Sequence, residues 1–166
     1  HCVERPAAIA GDTATSEAAV LHALDVYEAE RARTVDVVLL VQCTSPFVSR
    51  EDIDGVARAV AHEGADTAVT VAPFHGFVWR DGHAVEEGTY GADLTVVYGV
   101  NHDKSVRPRR QDRPQDHLET GAAYAMDAAG FRTHRHRFFG HTALVPTDPA
   151  RVLDIEQPTS AIVFCR

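Results

Sequence analysis

Three polar residues, Gln42, Thr44 and Ser45, closely follow a run of five apolar residues and could bind a polar ligand. The run Val37–Val41 predicts a strand buried on both faces, as in a parallel sheet. Open α/β sheets bind ligands beyond the carboxyl ends of their strands, where these side chains are expected. A glutamine amide offers two donors and an acceptor, which suits a sugar. The alternative is an ordinary strand-to-helix loop, and the pattern favours neither interpretation.

A second group of residues suited to ligand binding is the segment from Arg107 to Pro114, which contains four arginines and two prolines. The prolines predict a loop. Guanidinium groups bind phosphates and carboxylates bidentately, so an arginine cluster in an acidic protein indicates a small anionic ligand. The alternative is a solvated loop whose arginines pair with surface carboxylates.

Asp154 and Glu156 are two residues apart, so on an extended segment both carboxylates lie on one face. Such a pair could hold Mg²⁺, which takes one or two carboxylates together with water and substrate phosphate oxygens. Placement on the surface without a metal is the alternative. The histidines His134, His136 and His141 have no cysteine or carboxylate at a suggestive spacing, which favours surface histidines over a transition-metal site.

The composition limits the possible classes of function. A length of 166 residues fits one domain, and the net charge of −8 argues against nucleic-acid binding. No apolar run is long enough to span a membrane, and no signal-peptide pattern opens the chain. The three cysteines are far apart and show neither a disulfide framework nor a zinc spacing, so we expect a cytoplasmic protein.

The elements that must position these residues alternate between helices and strands. Apolar residues at helical spacing predict helices over 17–32, from Ser49 to near Gly64, and over 127–132. Ser49 and Asp52 resemble a capping box at the start of the second helix. Strands are predicted at 36–41, 67–72, 122–126, 141–146 and 152–155. This alternation predicts a three-layer α/β domain.

Residues 73–118 differ in character from the rest of the chain. Asp81-Gly82 between apolar flanks predicts a hairpin within 77–86, and 94–98 is a possible further strand. The arginine-rich loop follows. We therefore expect 73–118 to be an inserted lobe of a single domain that comprises residues 1–166.

Six segments, in this order and at approximate spacing, resemble motifs of the acylneuraminate cytidylyltransferases, the CMP-sialic acid synthetases. They are Arg5-Pro6 with Gly11–Ser16, Gln42–Pro46, Arg109–Asp112, Glu119–Tyr124, Phe138-Phe139 and Asp154–Pro158. Each match is modest alone, but together they extend over nearly the whole chain. The resemblance implies a three-layer, Rossmann-like nucleotidyltransferase fold with a mostly parallel sheet.

The resemblance also implies an activity. Members transfer CMP from CTP to the anomeric hydroxyl of a nonulosonic acid and release pyrophosphate, with Mg²⁺ as cofactor. They typically form homodimers through a lobe that reaches into the neighbour's site, which would be 73–118 here. The expected partners are therefore CTP, a sialic-acid-type sugar acid and a second copy of the chain, with no nucleic acid and no membrane.

Site residues follow from the resemblance position by position. Residues that would bind the nucleotide are Arg5, Ala14 and Ser16. Residues that would bind the sugar acid are Gln42, Arg110, Gln111 and Tyr124, with Phe138 and Phe139 as walls of its N-acyl pocket. Asp154 and Glu156 would hold Mg²⁺, and Asp154 and Arg110 would be the catalytic residues.

The chain departs from the family pattern in several places. The Gly-rich triphosphate loop, of the R-x-G-S-K-G kind, is absent from this sequence, so we expect an N-terminally incomplete chain that is inactive by itself. Glu156 is one methylene longer than the usual Asp, Thr120 replaces Asn, and Val78 lies close to a position that is basic in some members. The alternatives are a non-catalytic relative that binds a sugar or nucleotide, or a cytidylyltransferase for pseudaminic, legionaminic or Kdo-type acids. The Kdo enzymes fit less well, because Q-x-T-S-P is not their usual motif.

Overall fold

A computed structural model describes residues 2–11, 13–81 and 97–155. The chain divides into two compact units. The first contains residues up to 72 and those from 118 onwards, and the second is Pro73–His117.

Among the residues that the structure describes, the first unit contains three α-helices, and each begins at a side-chain cap. They are α1 (Ser16–Arg31), α2 (Arg50–Ala61) and α3 (Ala128–His134). Thr15 accepts the Ala18 amide at the start of α1, and Asp127 accepts the Gly130 amide at the start of α3. Ser49 and Asp52 form a complete capping box on α2, as predicted. The caps satisfy amides that have no partner within the helix, which fixes where each helix begins.

Among the described residues, the main sheet has four strands, β1 (Val37–Val41), β2 (Thr67–Phe74), β5 (Asp116–Asp127) and β6 (Thr142–Pro146). Their order across the sheet is β1-β5-β2-β6, and strands β3 and β4 belong to the second unit. Strand β1 pairs antiparallel with β5, and β2 pairs parallel with β6. The Asp127 backbone amide donates to the Asp66 carbonyl, and the Ala123 backbone amide donates to the Thr70 hydroxyl. Residues of β5 therefore meet those of β2 in reverse order, so β5 also runs antiparallel to β2. Three of the four strands therefore point the same way, and only β5 is reversed.

Helices cover both faces of this sheet. Val38 and Met126, which face each other across β1 and β5, pack with Leu21 and Leu24 of α1 and Phe131 of α3. The opposite face carries a second cluster built around α2, formed by Val56, Ala59, Ala65, Ala68, Ala123 and Ala125. The three-layer α/β prediction is therefore confirmed.

Three details of the predicted strands are wrong. Strand β1 is not buried on both faces, since Leu39 is 42% and Val41 is 43% exposed. Within the described sheet β1 is an edge strand, which leaves one side of it without a neighbour. Strand β2 continues through Pro73 to Phe74. The predicted strand 152–155 has no strand structure and instead follows the 3₁₀ helix Pro149–Arg151, which Asp148 caps.

The second unit contains a short two-stranded sheet. Strand β3 (Trp79–Asp81) pairs antiparallel with β4 (Val97–Gly99). The second half of the predicted hairpin, from residue 82, lies outside the described residues. Within the described ranges, no helix has the length and apolarity needed to cross a membrane.

Candidate active site at the end of strand β1

Gln42 and Asp154, two of the residues predicted to bind ligands, meet at Gly121. A methyl group added to Gly121 would lie 3.0 Å from Oδ2 of Asp154 and 3.4 Å from Oε1 of Gln42. Gln42 directly follows β1, and its backbone amide donates to the Ala122 carbonyl at 3.0 Å. Two residues that are more than 100 positions apart in the sequence therefore present oxygen atoms to the same point.

Gly121 is required at this point for two reasons. Its φ is +71°, a left-handed conformation that residues with a side chain rarely adopt. A methyl group at this position would also be in tight contact with the Asp154 carboxylate, which would have to shift, and in ordinary contact with the Gln42 amide oxygen. A glycine therefore allows the backbone of β5 to approach both side chains closely.

The Asp154 carboxylate has the chemistry of a metal ligand. Its Oδ1 atom is buried and has no hydrogen-bond partner among the residues that the structure describes. A buried charged oxygen without a partner is costly, and a cation would compensate for it. No group of three or more His, Cys, Asp or Glu side chains suited to a metal occurs within the described ranges. The donors here are a carboxylate and an amide oxygen, which suit Mg²⁺ because this ion keeps several waters and binds through few protein ligands. Glu156 lies outside the described residues.

Tyr124 lies on the same face of the sheet as Gln42, because Tyr124 pairs with Leu40, two residues before Gln42. It is only 3% exposed, and its hydroxyl donates to Oε1 of Glu119 at 2.6 Å. Burial, followed by the bond to Glu119, raises the pKa of the Tyr124 hydroxyl to about 12. The hydroxyl therefore stays protonated, and its direct contact with a sugar stays a prediction.

A largely buried ion pair beside Tyr124 joins Arg137 to Glu17. The sequence does not predict either residue as part of the site. Nε of Arg137 donates to Oε1 of Glu17 at 2.6 Å, and both side chains are less than one-fifth exposed. The Arg137 guanidinium also lies 4.8 Å from the centre of the Tyr124 ring. Hydrogen bonding to Arg137 lowers the pKa of the Glu17 carboxyl. These contacts join the start of α1 to the face that carries Gln42 and Tyr124.

The aromatic pair Phe138-Phe139 separates in the structure. Phe138 packs edge-to-face on Tyr124, with the ring centres 6.1 Å apart, and adjoins the buried cluster of Val69, Val71 and Tyr124. Phe139 stacks on His134 at 4.9 Å and packs against the α1–α3 core. The two rings therefore belong to different clusters, and only Phe138 lies beside Tyr124.

The residues predicted to bind the nucleotide are placed near the start of α1. Ser16 is the first residue of this helix, and Thr15 rather than Ser16 caps it. Ala14 precedes the cap and donates its amide to the Gly11 carbonyl at 3.0 Å. Arg5 is exposed and its side chain bonds the Ile9 carbonyl. Nucleotide binding by Arg5, Ala14 and Ser16 stays a prediction.

Arg110 and Gln111 belong to the second unit, where both lie exposed in the 3₁₀ helix Arg110–Asp112. The other arginines of the loop have partners within this unit. Arg109 pairs with Asp112 at 2.7 Å, Arg113 pairs with Asp116 at 3.1 Å, and Arg107 and Arg113 flank the Phe77 ring. Among the described residues, the Arg110 guanidinium has no such partner. It is therefore the arginine of the loop that is available to an anionic ligand.

Comparisons with known proteins support the family resemblance. No family model matches the chain. Over 92 residues, or 55% of the chain, the sequence is 30% identical to N-acylneuraminate cytidylyltransferase A of Danio rerio. Over 90 residues it is 29% identical to N-acylneuraminate cytidylyltransferase B of the same species. The matched stretch covers 20% of the length of each of these two relatives.

A solved structure supports the fold. The chain is similar to 4-diphosphocytidyl-2C-methyl-D-erythritol synthase from Anaerococcus prevotii DSM 20548, with a TM-score of 0.50 and 14% sequence identity. The likeness covers 91% of this chain and 65% of the synthase chain. The chain therefore has an α/β fold similar to that of this synthase. By sequence, it is similar to the N-acylneuraminate cytidylyltransferases.

Proposed function

We propose that the protein is a CTP-dependent nucleotidyltransferase that forms the CMP derivative of a sialic-acid-type nonulosonic acid. In this reaction the anomeric hydroxyl oxygen of the sugar acid attacks the α-phosphorus of CTP. A new P–O bond forms, the bond between the α-phosphorus and the bridging oxygen breaks, and pyrophosphate leaves. The hydroxyl proton passes to solvent or to a basic group.

The observation that carries this proposal is the meeting of Gln42 and Asp154 at Gly121. Both residues come from motifs that resemble those of the acylneuraminate cytidylyltransferases, and two N-acylneuraminate cytidylyltransferases are among the relatives found by sequence. The meeting point adjoins the carboxyl end of β1, the edge at which α/β sheets of this kind bind ligands. Phosphoryl transfer depends mainly on positioning and charge neutralisation, which a cation held by oxygen ligands at this end of β1 would supply.

Mg²⁺ is the cofactor that we propose for this site. Asp154 would hold it, because its buried Oδ1 lacks a hydrogen-bond partner among the described residues. Glu156 remains the second proposed ligand by resemblance. When bound, the ion would neutralise negative charge on the phosphate oxygens of the nucleotide. Gln42 would orient the sugar acid, and Arg110 would bind its carboxylate bidentately.

The proposal is tested by pyrophosphate release from CTP in the full-length gene product, with Mg²⁺ and each of several sugar acids as acceptor. We expect release with CTP and N-acetylneuraminate, and little with ATP, GTP or UTP. Pseudaminic, legionaminic and Kdo acids test the identity of the acceptor. Binding of CTP and N-acetylneuraminate by calorimetry, without pyrophosphate release, would instead favour a non-catalytic relative.

A matched pair of arginine variants tests the role of Arg110. We expect Arg110→Ala to lower turnover strongly, since its guanidinium is unpaired within the described residues. Arg109→Ala is the control, because Arg109 is already engaged by Asp112 at 2.7 Å. Equal turnover in the two variants would remove Arg110 from the site. The homodimer stays a prediction, and sedimentation equilibrium of the full-length gene product tests it.

A further inference from the structure

Asp52, Thr147 and Arg151 form a connected group of side chains close to the candidate site. Nη1 of Arg151 donates to Oδ2 of Asp52 at 2.5 Å, and Nη2 donates to Oδ1 at 3.2 Å. The hydroxyl of Thr147 donates to the same Oδ1 at 2.7 Å. We call this group the Asp52–Arg151 clasp.

The clasp joins three separate parts of the first unit. Asp52 belongs to the first turn of α2, where its Oδ2 also accepts the Ser49 amide at 2.9 Å. Thr147 follows β6, and its amide donates to the Val71 carbonyl of β2. Arg151 is the last residue of the 3₁₀ helix that leads to Asp154. The buried carboxylate of Asp52 therefore ties this helix to α2 and to the end of β6.

Asp154 lies between the clasp and a second anchor. It follows Arg151 by three residues, and the next amide, that of Ile155, donates to the Thr44 carbonyl at 2.9 Å. Thr44 belongs to the loop that begins with Gln42. The segment 152–155 has no strand or helix structure of its own. The Asp52–Arg151 clasp and the Ile155–Thr44 hydrogen bond therefore hold this segment on either side of Asp154.

We propose that the Asp52–Arg151 clasp is a positioning device that fixes the Asp154 carboxylate against Gly121 and Gln42. Asp52 and Arg151 would not contact the nucleotide or the sugar. They would act through the segment that carries Asp154. The use of that position for Mg²⁺ and CTP rests on the proposed function, whereas the positioning itself does not. Residues that orient a metal ligand in this way typically change metal affinity or activity by about 10- to 100-fold when they are mutated.

The test uses Arg151→Lys, which keeps the charge and loses the bidentate geometry, and Thr147→Val, which keeps a similar volume and removes the two hydrogen bonds of the Thr147 hydroxyl, one to Asp52 and one from Arg151. The control is Arg50→Lys, because Arg50 pairs with Asp54 on the same helix and both side chains are largely exposed. The first readout is hydrogen exchange of the Ile155 amide in metal-free protein. The reference amide is that of Gln42, which bonds Ala122 independently of the clasp.

We expect Arg151→Lys to speed exchange at Ile155 and leave exchange at Gln42 unchanged, with a smaller effect of Thr147→Val and none of Arg50→Lys. The second readout is the Mg²⁺ concentration that gives half-maximal pyrophosphate release. We expect it to rise about tenfold in Arg151→Lys, with turnover largely restored at high Mg²⁺.

Unchanged exchange at Ile155 in Arg151→Lys would overturn the inference. Equal acceleration at Ile155 and Gln42 would also overturn it, because the clasp would then act only on global stability. If the unmodified protein shows no turnover with CTP and a sugar acid, the proposed function fails. The exchange result then decides the positioning role by itself.

Discussion

Two carboxylates in the first unit, one on the buried residue Asp52 and one on the half-buried residue Asp154, differ in how their oxygen atoms are hydrogen-bonded. Asp52 is 5% exposed, and its two oxygens accept hydrogen bonds from Arg151, Thr147 and the Ser49 amide. The Oδ1 atom of Asp154 is buried as well, yet it has no partner among the described residues. Buried polar groups in folded proteins are nearly always paired. The fully paired carboxylate therefore holds the structure together, and the incompletely paired one is where a ligand is expected.

Gly121→Ala is expected to lower turnover markedly, because it disturbs the site and leaves the clasp in place. An alanine at φ +71° is strained by about 1–2 kcal/mol, and its methyl group would lie 3.0 Å from Oδ2 of Asp154. To relieve this contact the Asp154 carboxylate must shift by a few tenths of an ångström. Since a displacement of about 1 Å at a reacting centre can cost about 100-fold in rate, we expect turnover in the full-length gene product to fall by about 10-fold.

Gly64→Ala is the control for Gly121→Ala. Gly64 also has a positive φ, of +79°, but no atom lies within 4 Å of its would-be methyl group. The control should show the backbone strain in thermal unfolding and keep its turnover. Equal losses of turnover in the two variants would show that strain alone, and not contact with Asp154, explains the effect.

A second prediction concerns the other carboxylate. Asp52→Asn should lower the free energy of unfolding by about 2 kcal/mol, because an ion pair with hydrogen bonds to a buried carboxylate is lost. Asp54→Asn is the matched control on α2, since the Arg50–Asp54 pair is exposed and is worth only about 0.5 kcal/mol or less. Urea denaturation of both variants measures the difference. Similar losses in the two variants would mean that burial of Asp52 adds nothing.

The pH dependence of stability should separate Asp52 from surface carboxylates. Burial alone would raise the pKa of the Asp52 carboxyl, but hydrogen bonds from Arg151, Ser49 and Thr147 outweigh it and lower the pKa from 3.8 to about 2. A lowered pKa in the folded state stabilises the protein above the unfolded pKa, and this contribution is lost as pH falls towards the folded pKa. The stability difference between wild type and Asp52→Asn should therefore shrink as pH falls from about 4 to about 2. Urea midpoints across this range measure it, and a difference that stays constant would contradict the shift.

Much of the fold could be predicted from the sequence, because the signals for it are local. The apolar spacing of α1 and α2, the Ser49–Asp52 capping box and the apolar run of β1 all depend on residues close together in the chain. The exposed side chains of β1 could not be predicted in this way. Whether a strand lies at the edge of a sheet depends on its distant partners, and the run Val37–Val41 carries no sign of them.

The candidate site likewise combines residues that the sequence predicts with contacts that depend on distant parts of the chain. The sequence predicts Gln42 from its place after an apolar run and Asp154 from its spacing to Glu156, but their meeting at Gly121 depends on the distant pairing of β1 with β5. The pairing of Asp52 with Arg151 joins residues 99 positions apart, and neither residue stands out beyond the helix cap. The adjacent residues Phe138 and Phe139 resemble a pair in the sequence, and only the packing of α3 shows that their rings separate.

The most direct test of the central claim, that Asp154 binds a ligand and Asp52 holds the segment that carries Asp154, is turnover of Asp154→Asn in the full-length gene product. We expect release of pyrophosphate from CTP and N-acetylneuraminate to fall by about 100-fold or more, since several kcal/mol of charge stabilisation would depend on the metal. The thermal unfolding temperature should stay the same or rise, because the unpaired buried charge is removed. Unchanged turnover, or a loss of turnover that only follows a loss of stability, would contradict the claim.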